Sequence, residues 1–95
     1  MWSPQAISDV EFIRAYIERD SHHYASLVVA RIIAAVERAG DFPASGRVVP
    51  EVADATLREI VWRIYRIVYR VRDARVEAVT VFHGAMLFPG PSGSG

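Results

Sequence analysis

The chain has 95 residues, 52% of them hydrophobic, with eleven basic and eleven acidic side chains and no cysteine. That length makes one domain with a small core, the balanced charge does not mark a nucleic-acid binder, and the absent thiols exclude disulfides and thiolate metal sites. No apolar run approaches the ~20 residues of a membrane span and no signal-peptide pattern opens the chain, so a cytoplasmic protein is expected.

Ser3-Pro4 is a helix start, a capping side chain followed by proline at the first helical position. Ile7, Val10, Ile13 and Ile17, with Ala6 and Tyr16 beside them, recur at spacings of three and four and predict one apolar stripe on a helix ending near Asp20. Ser21 caps a second helix whose broader apolar face is Ala25, Val28, Val29, Ile32, Ile33, Val36 and Ala39, with Gly40 placed to end it. So short a connection makes the two helices antiparallel neighbours.

Residues 42–55, with two prolines and Gly46, show neither helical nor strand period and read as a loop. From Leu57 the pattern turns to strands, and a three-stranded meander can be registered from its turns. A tight turn at Arg63-Ile64 sets Trp62 opposite Tyr65, Ile60 opposite Ile67 and Val61 opposite Arg66. A two-residue loop at Asp73-Ala74 sets Arg70 opposite Glu77, Val68 opposite Val79 and Arg66 opposite Val81.

Alternation then assigns two faces. Ile60, Trp62, Tyr65, Ile67, Tyr69, Val71, Val76, Ala78, Thr80 and Phe82 form a large aromatic face suited to lie under the helices. Glu59, Val61, Arg66, Val68, Arg70, Glu77, Val79, Val81 and His83 form the other, charged at its edges with four valines at its centre. An antiparallel sheet with one bare side usually alternates more cleanly. Two readings stand: a valine-rich surface held by β-propensity, or a face that another chain covers.

Charge is divided between the halves. Residues 1–56 carry five arginines against eight acids, and residues 57–95 six against three. All eleven basic residues are arginine, with no lysine or asparagine, which reads first as the base composition of the coding genome.

Candidate chemistry is sparse. His22 and His23 are adjacent on a helix, about 100° apart, and make a poor chelating pair. No serine has a histidine and carboxylate in triad order, and Ser45-Gly46-Arg47 is too short for a phosphate loop, reading instead as a turn anchored by its arginine. No catalytic residue, metal ligand or cofactor is assigned.

The ordered set over residues 2–84 resembles the ParE/RelE superfamily of bacterial toxins, and most of all ParE: a helical hairpin, the SGR-VPE loop, YRIVYRV in the middle strand, and a last strand ending in His83-Gly84. The resemblance implies an α+β fold, an N-terminal antiparallel two-helix hairpin packed on a three- to four-stranded antiparallel β-sheet. Relatives usually open with a short strand, of which almost nothing stands before Trp2 here. The toxin domain is expected at 1–88, with a flexible tail at 89–95.

The same resemblance implies a toxin of a type II toxin–antitoxin system that inhibits DNA gyrase and is neutralised by a co-encoded ParD-like ribbon-helix-helix antitoxin, operator DNA being reached only through the antitoxin. A disordered antitoxin segment folding onto the toxin would cover much apolar surface. The expected partner-facing surface is Arg66, Val68, Arg70, Val79, Val81 and His83, with Arg58 and Arg63 at the rim. The alternative is the RelE branch, which cuts messenger RNA on the ribosome with basic and tyrosine residues. Arg66 matches an arginine common to both branches, but the nuclease's second catalytic arginine, two positions after Gly84, is Met86 here, and residues 87–95 hold no tyrosine or basic side chain. Arg66 is equally suited to an ion pair with Glu59 across the sheet. Residues 85–88 are wholly apolar where many ParE members carry arginine, which leaves a third reading: a non-toxic protein of this fold that only binds an antitoxin-like partner.

Overall fold

The computed structural model describes residues 1–86 and 88. Helix α1, Pro4–Glu18, and helix α2, His22–Asp41, form the antiparallel hairpin. Strands β1 (Arg47–Val48), β2 (Leu57–Trp62), β3 (Tyr65–Arg72) and β4 (Arg75–His83) make an antiparallel sheet in chain order. The tail at 89–95 and Leu87 lie outside the described residues. No described helix is long and apolar enough to cross a membrane.

Both helix starts are capped as expected: the Ser3 hydroxyl accepts from the Ala6 N–H, and that of Ser21 from the Tyr24 N–H. Gly40 does not end α2. The helix continues through Asp41 and stops at Phe42, at φ −132° and ψ 75° outside the helical region, because the next residue is Pro43 and a residue before proline is steered out of that region. The stripe of α1 is also narrower than its spacing suggests. Ala6, Val10 and Ile13 are buried, while Ile7 and Tyr16 stay exposed.

The fourth strand comes from within the supposed loop. Arg47 and Val48 pair with Glu59 and Arg58. At the N-terminus only one parallel bridge forms, Trp2 with Ala78, where Ser3 N–H donates to the Ala78 carbonyl and Ala78 N–H to that of Met1, both at 2.9 Å.

The β2–β3 register is as expected, and Arg70 does face Glu77. Beyond that point β4 departs. Tyr69 pairs with Ala78 but Val68 with Thr80, so Val79 is an additional residue, a β-bulge. One inserted residue reverses every later side chain. Arg66 therefore pairs with Phe82 rather than Val81, Val81 turns under the helices, and Phe82 turns to the opposite face. The free edge of β4 is closed by Asp9 of α1, whose Oδ2 accepts from Thr80 Oγ1 at 2.5 Å and from the Val81 N–H at 3.0 Å.

Two apolar clusters result. The main one joins Val10, Ile13, Val28, Ile32 and Val36 of the hairpin to Ile67, Ala78 and Val81 of the sheet. The second, on the far face, gathers Val49, Leu57, Val68, Val79 and Phe82, with Phe88 against it. The valine-rich face is thus covered in large part by the chain's own 47–55 segment and by Phe88.

Candidate functional site

The far face of the sheet holds an ionic chain threaded through the second apolar cluster. Arg66 projects from β3, and each of its three guanidinium nitrogens lies within 2.8 Å of a carboxylate oxygen. Nε donates to Glu59 Oε1 at 2.8 Å, while Nη1 and Nη2 each reach Glu51 at 2.7 Å in a two-pronged pair. Nη1 also donates to the Met86 carbonyl at 3.3 Å. Phe82, brought to this face by the bulge, places its ring 4.9 Å beneath the guanidinium carbon. Arg66 is only 6% exposed.

Glu59, on β2, is 1% exposed and is contacted by two arginines. Its Oε1 faces Arg66 and its Oε2 accepts from Arg47 Nε at 2.6 Å. The short strand β1 sets Arg47 directly across from Glu59. Glu51 completes the alternation, and its Oε2 also accepts from the Phe88 N–H at 3.0 Å. Arg66 first, then that amide, holds the Glu51 carboxyl down at about 2 against an ordinary 4.5. Glu51 in turn raises the Arg66 guanidinium above its ordinary value.

The loop carrying Arg47 is fixed from the other side. Tyr69, fully buried, donates its hydroxyl to the Pro43 carbonyl at 2.7 Å and accepts the Gly46 N–H at 2.9 Å. A Cβ at Gly46 would stand 2.6 Å from that hydroxyl and 2.7 Å from the Glu59 carbonyl oxygen, so only glycine fits. Arg58 Nη1 donates to the Gly46 carbonyl at 2.9 Å. Ser45-Gly46-Arg47 is therefore a turn anchored by its arginine, with the tyrosine as its floor.

The residues expected to face a partner do not form one patch. Arg66, Val68 and Val79 come together but are buried within this chain. Val81 is buried under the helices, because of the bulge. Arg70 is held by Thr56 Oγ1 at 3.2 Å and by Asp54 at 3.9 Å. Arg63 lies over Trp62 at 5.3 Å, and His83 is exposed, its Nδ1 accepting the Ala85 N–H. Glu51, Val49, Leu57, Phe82 and Phe88 join this face without having been assigned to it. Glu51 lies in the irregular VPE stretch, where no period marked it. Among the described residues no cluster of three or more His, Asp or Glu side chains could hold a metal ion, and His22 pairs with Glu18 at 3.3 Å.

Comparison with known proteins agrees with this architecture. The family model "ParE toxin of type II toxin-antitoxin system, parDE" matches residues 1–88. A "Putative toxin Y4kP" of Sinorhizobium fredii is 40% identical over 90 residues, covering 93% of this chain and 90% of that one. "Toxin RelE2" of Caulobacter vibrioides is 35% identical over 88 residues, covering 92% and 96%. Among solved structures, "Chromosomal ParDE TA system from P. aeruginosa" superposes with a TM-score of 0.70 over 86% of this chain and 90% of that one, at 16% identity, a likeness of fold.

Proposed function

This chain belongs to the ParE toxin family of type II toxin–antitoxin systems, and from that membership we propose that it arrests growth by contact with DNA gyrase, without cutting RNA, and that a ParD-like antitoxin neutralises it. The observation that supports this most is the state of Arg66. A nuclease needs its arginine aimed at the charge that develops on the scissile phosphate. Here all three guanidinium nitrogens are taken by Glu51 and Glu59. Met86 stands where the nuclease branch has its second arginine, and its backbone carbonyl helps to hold the first.

In this reading the ionic chain is scaffolding. It fastens the 47–51 segment and the main chain at Met86 and Phe88 across the sheet, and so shapes the surface that a target meets. The proposed contact surface is the part of the expected set that stays exposed, Arg63 and His83 at one end of the sheet. We assign the antitoxin to the outer groove between α1 and α2, about 210 Å³, where Ile7 and Ile33 are exposed beside Val29 and Arg14. Apolar side chains left exposed on two adjacent helices suit a segment that folds as it binds.

A RelE-like ribosome-dependent ribonuclease is the rival, favoured by the likeness to Toxin RelE2 of Caulobacter vibrioides. Induced expression in a bacterial host separates them. Gyrase poisoning gives trapped double-strand breaks and an SOS response relieved by the antitoxin, whereas a ribonuclease gives cleaved transcripts. No growth defect at all would mark a toxin fold kept only for partner binding.

A further inference from the structure

We propose that the turn end of the β3–β4 hairpin is a phosphate-binding cleft, built on the facing pair Arg72 and Arg75. These two arginines are direct cross-strand partners and close the hairpin. Like charges set opposite one another repel and weaken a sheet unless something between them answers the charge. Among the described residues neither has a carboxylate oxygen within 4.0 Å, whereas Arg47, Arg66 and Arg70 each do. Beside the pair lies a cleft of about 480 Å³, bounded by Arg70, Asp73, Ala74 and, across it, Gly40 in the last turn of α2.

The turn imposes the juxtaposition. Asp73 and Ala74 both take left-handed backbone angles, φ 50° and 62°. A two-residue turn of this kind prefers Asn-Gly, and alanine there is strained. The tight loop holds Arg72 and Arg75 in register instead of letting them splay. Arg70 adds field, with its Nη1 turned toward Thr56 and Asp54. The Asp54 carboxyl is lowered first by its hydrogen bonds from Thr56 and then by Arg70 and Arg72, so Arg72 acts on it at a distance without forming an ion pair.

Asp73 and Glu77 also line the cleft, which leaves three arginines against two acids. That balance selects a ligand of high local charge. A carboxylate fills one guanidinium fork. A phosphate, with its several oxygens and charge of −1 to −2, bridges two. Its source is either a free oligophosphate or the backbone of a nucleic acid, which this chain would then touch directly. The inference does not depend on the choice between gyrase and ribosome.

The test uses the full chain, its thermal unfolding followed with sodium pyrophosphate or sodium chloride at matched ionic strength. Binding of a short labelled DNA duplex of mixed sequence is measured alongside across a salt series. The variants are Arg72→Thr/Arg75→Thr and Arg72→Glu. The second turns the repelling pair into an attracting one, so it folds at least as well as the parent and still loses the site. If the ligand is a free phosphate, pyrophosphate raises the Tm of the parent protein and leaves both variants unmoved. If it is the nucleic-acid backbone, the duplex binds the parent with a salt slope steeper by about 2 than for the double variant, one counterion per lost arginine contact. The proposal is overturned if neither probe acts on the parent protein, or if Arg72→Glu keeps the response.

Discussion

Glu59 and Arg66 meet on the far face of the sheet with Nη2 and Oε1 2.6 Å apart and less than one tenth of either side chain exposed. The two sit on neighbouring strands, and Arg47 and Glu51 extend the pair into an alternating row of four charges. Burial gives this row its weight. An exposed pair contributes ~0–1 kcal/mol, whereas removing one partner of a buried pair costs ~3–5 kcal/mol, because the other is left without compensation. Arg66→Met should therefore destabilise the fold by roughly 3 kcal/mol or more, measured by urea denaturation. A loss below about 1 kcal/mol would show that water reaches Glu59 freely.

Acid should loosen the same face in a defined window. The folded-state pKa of Glu51 is depressed, from 4.5 to about 2. Its contribution is thus fully present above its unfolded value and is lost as pH falls through the folded one. Unfolding followed from pH 5 down to pH 2 should show stability declining across that range, and Glu51→Gln should flatten the decline. Equal slopes for parent and variant would remove Glu51 from the network.

Gly46 should tolerate no side chain. A Cβ placed there meets the Tyr69 hydroxyl and the Glu59 carbonyl, both under 3.0 Å. Gly46→Ala is expected to cost ~1–3 kcal/mol through overpacking. Tyr69→Phe, which leaves the Gly46 N–H and the Pro43 carbonyl without their partner, is expected to cost ~1–3 kcal/mol. Because both changes act on one contact, the double variant should lose less than the sum of the two, which a double-mutant cycle will read.

Asp9 guards the edge of β4 by accepting from Thr80 and Val81. Asp9→Ala should cost about 1–3 kcal/mol. It should also speed hydrogen exchange at the Val81 amide selectively, leaving amides of β2 and β3 protected. Uniform acceleration along the sheet would mean that Asp9 serves global stability alone.

The helical hairpin and the meander were legible because each repeats its period over many residues, and the turns at Arg63-Ile64 and Asp73-Ala74 set the register near them. The bulge at Val79 was not. The stretch from Val76 to Phe82 is apolar or small at almost every position, so shifting it by one residue leaves the pattern unchanged. That single residue decides why Val81 is buried under α1 and α2 and why Phe82 lies beneath Arg66. Strand β1 escaped notice because two residues carry no period. The Arg66–Glu59 pair follows from neighbouring strands and could be anticipated. Glu51 reaches Arg66 from an irregular segment fifteen residues away, which no local pattern encodes.

Action by protein contact can be read by adding the purified protein to a DNA gyrase supercoiling reaction, with a translation-coupled mRNA cleavage reaction run from the same preparation. Inhibited supercoiling with intact RNA is the expected result. Cleaved RNA with supercoiling unaffected would contradict it, and would require Arg66 to leave Glu51 and Glu59 when the substrate binds.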